Sequence, residues 1–326
     1  MAIAASRSHP DQSSPICRDK VFLFDFLMLT YVSRKLDGNE KVGLALAFLA
    51  VTAFSLTLPM TRLAVADLGA LSVAVWRGLI AGFAALILLI ALRPRHPRGR
   101  QWRDLVACAF GTVFGFPIFT ALAMETVSAS HGAVVVALLP IATAVVGVLI
   151  SNERPSLGFW LASLFGTAVT FVFVWRQAEG GLTFGHIYLI FAVITAGIGY
   201  AYGGLLARDI KGWVVACWSL VASLPVLAGL VVFVPPLNLH AEVVTLGAFF
   251  YLALISQLGG FFAWYRSMAL AGIARASQVQ LLQLFFTVGF AVLLLSESWD
   301  VEVIAFGAVV AMTVWLTTRL RVHFSN

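Results

Sequence analysis

TVSASHGAVVVALLPIATAVVGVLISNE, from Thr126 to Glu153, reappears in outline as GIARASQVQLLQLFFTVGFAVLLLSE, from Gly272 to Glu297. Each stretch has an entry of small residues, a long apolar segment and a glutamate just beyond its end. The two glutamates lie 144 residues apart. Self-similarity over that distance in an apolar chain predicts two stacked structural repeats.

The composition of the chain indicates a membrane protein. Hydrophobic residues make up 61% of its 326 residues, charged residues make up 11%, and the mean hydropathy is +0.96. A soluble domain carries about 25% charged residues. Apolar runs recur from residue 42 onward, many approach the roughly 20 residues that cross a bilayer as a helix, and runs such as AALILLIAL (Ala84 to Leu92) do not alternate as β-barrel strands do. The sequence therefore predicts an all-α integral membrane protein.

The apolar pattern predicts ten transmembrane helices joined by short connections. Because five helices per half is an odd number, the second half must enter the membrane from the opposite face. This gives two inverted five-helix repeats (5+5) with a binding site between them near the midplane. The predicted helices are 42–65, 71–92, 104–123, 130–150, 156–175, 185–206, 213–233, 244–266, 275–295 and 301–319. The predicted domains are an N-terminal extension (1–41), a first repeat (42–176), a linker (177–184), a second repeat (185–320) and a cytoplasmic tail (321–326).

The N-terminal extension does not fit the repeat. Residues 1–20 are polar, and we expect them to be disordered. The segment from Val21 to Val32 is apolar but too short to span a bilayer. It either lies in the membrane interface or results from a start-site artefact, and the role of residues 1–41 stays open.

The distribution of basic residues predicts the orientation in the membrane. With a cytoplasmic N-terminus, seventeen of the 21 Lys and Arg residues fall on the cytoplasmic side, five of them in the loop 93–103. The positive-inside rule expects this asymmetry, so we expect a multi-pass protein of the inner or plasma membrane with both termini in the cytoplasm. Topology thereby explains the net charge of +6, and no nucleic-acid partner is expected.

Three stretches resemble a known family. They are AFSLTLPMTRLAV (Ala53 to Val65), AVWRG (Ala74 to Gly78) and LLPIATAVVGVLISNE (Leu138 to Glu153). Over about residues 42–320 the chain resembles the drug/metabolite transporter superfamily, in particular proteins with two EamA-type domains. The resemblance implies a secondary carrier, frequently an exporter, of amino acids or other small metabolites. One departure is Leu284 at the position that matches Pro140, so the second half is expected to lack one helix irregularity.

Polar residues within the predicted helices are candidates for substrate binding. An arginine at a helix centre costs about 2.5–3.5 kcal/mol, so Arg77, next to Trp76, is predicted to face the cavity and clamp a carboxylate. The alternatives are that Arg77 reaches to the outer interface, or that it pairs with Asp67 or Glu125.

Further candidates come from the second half. Gln280 and Gln283 are three residues apart and share a helix face. They are predicted to contact the substrate, although hydrogen bonding between helices is the alternative. The other predicted walls of the binding site are Tyr200, Trp264 and Tyr265, and Gln257 is a further polar candidate in the predicted helix 244–266.

Titratable residues near the outer ends have two interpretations. Glu125 and His131 could carry protons in an antiport cycle, or both could be hydrated loop residues. Glu153 and Glu297 occupy equivalent positions, and their repetition favours an architectural role.

Glycine pairs predict close helix contacts: Gly78 with Gly82, Gly111 with Gly115, and Gly199 with Gly203.

The sequence lacks motifs of common enzymes and metal sites. It contains no HExxH, GxSxG or P-loop, and its three cysteines are dispersed. We expect a carrier that works by alternating access, with no cofactor, no metal and no enzymatic activity. The alternatives are a membrane scaffold or sensor without transport, and an intramembrane enzyme. Substrate identity, direction, coupling ion and oligomeric state, including a homodimer, stay open.

Overall fold

The described part of the chain is helical apart from one pair of three-residue strands. The computed structural model describes residues 38–151, 153–155, 157–177, 183–271, 276, 279–319 and 322–324. The predictions for residues 1–37 and for linker residues 178–182 lie outside the described residues.

The helices have the following bounds. They are α1 (Gly38–Ser55), α2 (Thr57–Leu68), α3 (Ala70–Leu92), α4 (Arg100–Ala109), α5 (Phe116–Met124), α6 (Ala129–Val136), α7 (Leu139–Ser151), α8 (Leu157–Gln177), α9 (Phe184–Asp209), α10 (Gly212–Leu230), α11 (Val243–Phe250), α12 (Gly260–Ala271), α13 (Leu282–Leu295) and α14 (Val301–Arg319). A π-helix (Phe110–Gly115) joins α4 to α5, a second (Tyr251–Gly259) joins α11 to α12, and a 3-10 turn (Val231–Phe233) follows α10. Strand β1 (Glu153–Pro155) pairs antiparallel with β2 (Val322–Phe324). Strand β2 lies within the predicted cytoplasmic tail.

Seven helical stretches are long and apolar enough to cross a membrane. They are Gly38–Leu68, Ala70–Leu92, Arg100–Met124, Ala129–Ile150, Phe184–Asp209, Gly212–Phe233 and Val243–Ala271. Three shorter apolar helices, Trp160–Phe173, Leu282–Leu295 and Val301–Thr313, lie where the other three transmembrane helices are predicted.

Several helices are interrupted at matching positions in the two halves of the chain. Moving Phe110–Gly115 along the chain by the 144-residue repeat places it inside the second π-helix, Tyr251–Gly259. The turn at 137–138, between α6 and α7, likewise has a counterpart at 280–281, before α13. The expectation that Leu284 removes this irregularity from the second half is wrong, because a turn forms there without a proline.

Helices of the first half pack antiparallel against helices of the second half. Gly43, near the start of α1, lies against Ala271 at the end of α12, whereas Phe54, near the end of α1, lies against Gly260 at the start of α12. Three further pairs of helices are antiparallel in the same way. Helix α9 packs against residues 100–126 through Gly185–Thr126 and Gly199–Thr112, and α3 packs against α10 through Gly78–Leu227 and Gly82–Leu224. Helix α8 packs against α14 through Gly166–Thr313 and Arg176–Glu302.

The predicted glycine pairs lie at contacts between helices. A side chain at Gly111 would overlap the Thr195 carbonyl and the Gly199 backbone, and one at Gly203 would overlap the Tyr265 ring. The prediction of close packing at the glycines is therefore confirmed.

The two ends of the bundle differ in charge. Exposed basic residues gather where α1, α4 and α10 begin; we call this the basic end, and it includes Lys41, Arg93, Arg95, Arg98, Arg208 and Lys211. The opposite, acidic end carries Asp67, Glu125, Glu242, Glu297, Asp300 and Glu302.

Polar contacts join helices at the acidic end. Arg62 Nη1 donates to the carbonyls of Met124 (2.7 Å) and Val127 (2.9 Å), at the end of α5. The hydroxyl of Thr245 donates to Asp67, which joins α11 to α2.

A glutamate of the second half caps a helix of the first half. Glu297 Oε1 accepts the N–H of Ala129 (2.9 Å), and Oε2 accepts the N–H of Ser130 (3.0 Å). These donors belong to the first turn of α6, where backbone N–H groups have no partner within the helix. The architectural role is confirmed for Glu297, whereas the side chain of Glu153 lies outside the described residues.

We expect Gly111→Ala to destabilise the fold by about 1–3 kcal/mol, because the backbone atoms facing Gly111 cannot move aside. Thermal unfolding of the purified protein in detergent measures the loss. The matched control is Gly229→Ala in α10, where the added methyl meets no atom within 4 Å. Equal melting temperatures for the two variants would contradict this account of the contact.

We expect Glu297→Ala to cost about 1–2 kcal/mol, because it leaves two N–H groups of α6 without their acceptor. The control is Glu302→Ala, which breaks the exposed pair with Arg176 and should cost at most about 1 kcal/mol. A smaller loss of melting temperature for Glu297→Ala than for Glu302→Ala would exclude the capping role.

Candidate functional site

Arg77 lies buried in the first half of α3. Its side chain is 2% exposed, so the alternative that it reaches to the outer interface is wrong. Its Nη2 donates to Gln257 Oε1 (2.7 Å), whereas Nε and Nη1 have no hydrogen-bond partner among the described residues. Asp67 accepts from Thr245 instead, and Glu125 accepts from the Ala70 N–H (3.1 Å), so neither is its partner.

Gln257 joins the two π-helices. It lies in Tyr251–Gly259, and its Nε2 donates to the Thr112 carbonyl (2.8 Å) in Phe110–Gly115. Short π-helical segments within α-helices are rare and are found frequently at functional sites. One amide therefore connects Arg77 to both π-helices.

Buried polar groups continue from Gln257 to α13. The hydroxyls of Ser256 and Thr57 are 2.8 Å apart, and Thr57 begins α2 directly after the helix break at Leu56. Ser55 Oγ donates to the Val51 carbonyl of its own helix (2.7 Å) and also lies 3.4 Å from the Gln283 carbonyl. We call this set the polar belt; it consists of Arg77, Gln257, Ser256, Thr57, Ser55 and Gln283.

The polar belt ends at a narrow pocket between the halves. Gln280 and Gln283 line it together, as their spacing predicts, and they face Leu58, Ala133, Val136, Ala137, Pro140, Leu284 and Thr287. Gln280 Nε2 and Gln283 Oε1 have no partner among the described residues. The cavity volume is about 10 Å³, close to the minimum for one water molecule.

The predicted aromatic residues form a packed cluster beside α1. The ring centroids of Tyr200 and Trp264 are 5.7 Å apart, and the Tyr265 hydroxyl lies 3.2 Å from Cys108 Sγ. Phe54 and Phe261 complete the cluster. Tyr200, Trp264 and Tyr265 are therefore neighbours, but none of them lines the narrow pocket.

Comparison with protein families gives two matches along the chain. Residues 41–175 and 183–319 each match the model of the EamA-like transporter family. The chain belongs to the EamA-like transporter family. The resemblance inferred from the sequence is thereby confirmed, and the protein is a multi-pass membrane transporter.

Individual relatives agree with this membership. A protein of Bacillus subtilis (strain 168) described as the uncharacterized transporter YdeK is 41% identical over 273 residues, which are 83% of this chain and 95% of YdeK. A solved protein crystal structure covers 85% of this chain and 95% of its own with a TM-score of 0.58. At 16% identity the latter match shows a shared fold alone.

The structure of this EamA-like transporter separates the remaining predicted residues from the polar belt. The Trp76 indole donates to the Pro235 carbonyl (3.1 Å), toward the acidic end. Glu125 is exposed and contacts the first turn of α3. His131 is buried in α6, so its interpretation as a hydrated loop residue is wrong.

His131 packs against two rings from other helices. Its ring centroid lies 4.7 Å from Phe173 of α8 and 5.0 Å from His186 of α9. His186 Nδ1 accepts the Thr183 N–H (3.1 Å), while His131 Nε2 has no partner in the described part of the chain. The two imidazoles form a buried pair that the sequence prediction did not include.

The predicted site lacked Thr57 and Ser256, whereas Gln257 was among its polar candidates. Gln257 carries a detectable signal, because an amide within an apolar helix needs a partner. Thr57 and Ser256 carry none, since isolated hydroxyls are common in transmembrane helices and bond their own backbone.

Proposed function

We propose that this protein is a secondary carrier that exports small metabolites, amino acids or related compounds, by alternating access. One observation carries the proposal: an arginine lies buried at the helix interruptions with two guanidinium nitrogens unpartnered among the described residues. A buried charge without a partner is costly, and intramembrane ionisable residues mark substrate pathways by default.

The contacts between the halves support ten helices in an inverted 5+5 arrangement. A twofold axis in the membrane plane makes partner helices antiparallel, and the pairs α3 with α10 and α8 with α14 have this geometry. The same axis maps α1 onto α9 and α12 onto residues 100–126. The contact of α1 with α12 is therefore equivalent to the contact of α9 with residues 100–126. The matched π-helices support repeats with the predicted bounds, 42–176 and 185–320.

The substrate site proposed here combines Arg77, Gln280 and Gln283 with the neighbouring cluster of Tyr200, Trp264 and Tyr265. The pocket is far smaller than the several hundred Å³ of typical ligand sites. The bundle must therefore widen to admit a metabolite. Interrupted helices permit such movement because their α-helical hydrogen bonding is already broken at the site.

Orientation and coupling form the remaining parts of the proposal. The charge difference between the ends supports a cytoplasmic basic end in the inner or plasma membrane, with both termini in the cytoplasm. Glu125 and His131 are the proposed proton carriers, and the contact of His131 with His186 supports a role for His131.

We expect Arg77→Met to reduce transport by at least roughly tenfold while the protein stays folded, because the substrate loses a charge-assisted contact. Replacing a buried charge by an apolar side chain of similar size is often neutral or stabilising for the fold. The measurement is efflux from proteoliposomes loaded with a labelled mixture of amino acids and small organic acids, read by mass spectrometry.

The control for this variant is Arg95→Met, an exposed arginine outside the site, which should transport normally. Absence of protein-dependent efflux for the wild type would favour a scaffold or sensor. Conversion of a compound without its movement across the membrane would favour an intramembrane enzyme. Unchanged efflux in Arg77→Met would remove Arg77 from the site.

Labelling of single cysteines should place positions 95 and 211 on one side of the membrane and position 238 on the other. Arg95→Cys, Lys211→Cys and Asn238→Cys each add an exposed thiol, whereas native Cys108 and Cys217 are buried. In a Cys17→Ser background, a membrane-impermeant maleimide should label intact cells at position 238 alone. Labelling of positions 95 and 211 from opposite sides would contradict the inverted repeat.

A further inference from the structure

The buried interior of the described chain contains two formally charged side chains, Arg77 and Asp104. Asp104 lies at the basic end, 3.8 Å from Arg100 Nε and 3.5 Å from Arg103 Nε. Asp104 is therefore neutralised by its own neighbours. Arg77 is the buried charge that has no counter-ion among the described residues.

The contacts of Arg77 fit one kind of ligand group. Gln257 Oε1 occupies one position on the guanidinium, 2.7 Å from Nη2, and is the neutral equivalent of a carboxylate oxygen. Nε and Nη1 still offer N–H groups without partners in the described structure. Nε and Nη1 lie on different edges of the guanidinium, and each can donate an N–H to a carboxylate oxygen, whereas the group has no acceptor for a cation.

The described surroundings of Arg77 offer no negative charge to an ammonium group. The neighbours of Arg77 and Gln257 along their helices, Val75, Leu79 and Leu258, belong to one apolar cluster. Along the polar belt the side chains beyond Arg77 are neutral hydroxyls and amides; Gln283 Oε1 is an acceptor without a partner among the described residues, but no buried carboxylate of the described interior lies free to neutralise an ammonium.

We infer that this site selects compounds with a net negative charge, namely small monocarboxylates such as 2-hydroxy acids, over zwitterionic amino acids and amines. A monocarboxylate neutralises Arg77 and brings no second charge into the apolar interior. A zwitterion also neutralises Arg77 but leaves its ammonium without a counter-ion, which is costly in a low-dielectric environment. The inference rests on the proposed carrier function and replaces amino acids by their anionic analogues as the preferred substrates.

Ligands that share a carbon skeleton and differ in charge test this inference. The probes for one skeleton are 2-hydroxy-4-methylpentanoate (anion), leucine (zwitterion) and 3-methylbutylamine (cation). Lactate, alanine and ethylamine form a smaller set, and 3-phenyllactate, phenylalanine and phenethylamine form a larger one. Binding is measured as the shift in melting temperature of the full-length protein in nanodiscs across a concentration series.

For the skeleton that fits, we expect the 2-hydroxy acid to bind at least about tenfold more tightly than the amino acid, and the amine not to bind. Arg77→Met should abolish the shift by the 2-hydroxy acid, whereas the exposed control Arg95→Met should keep it. Arg77→Lys keeps the charge but loses the planar fork, so it should weaken the shift and preserve the order of ligands.

The possible outcomes separate this inference from the proposed function. Equal or tighter binding of the amino acid or the amine overturns the inference, even if that compound is transported. A lack of any shift by the three 2-hydroxy acids also overturns it. An Arg77-dependent shift by a 2-hydroxy acid without efflux from proteoliposomes supports the inference and contradicts the carrier function.

Discussion

The hydrogen bonds from Arg77 through Gln257 to the Thr112 carbonyl connect the buried arginine to both π-helices of the bundle. In lipid, a backbone group that leaves its helical partner costs several kcal/mol unless another group satisfies it. The Gln257 amide provides that partner for one π-helix while lying in the other. The two helix interruptions are therefore stabilised jointly, and the space between them can contain a buried cation.

Much of the fold follows from the apolar pattern alone, because a bilayer demands helices of a minimum length. The pattern is sensitive to length and hydrophobicity, but not to how the hydrogen bonds inside a helix are connected. Phe110–Gly115 has an ordinary apolar composition, so its π-helical conformation could not be predicted. The same holds for the turn before Leu282, which forms without proline.

The sequence predicts a site residue when burying its side chain in lipid costs free energy. It does not predict a residue whose burial is set by contacts with other helices. Arg77, Gln280 and Gln283 are identified by the cost of burying them, and the structure buries all three. Trp76 turns away because consecutive helical residues point about 100° apart. His131 is buried by Phe173 and His186, which come from other helices, and its own neighbours in sequence contain no signal for that.

The contacts at the acidic end resist separation of the helices on that side. Any motion that parts α6 from α13 on that side must break both hydrogen bonds of Glu297, and a motion of α2 away from α5 must release Arg62 from two carbonyls. These hydrogen bonds hold the helices together at the acidic end. They raise the energy of any conformation in which the bundle is open at the acidic end.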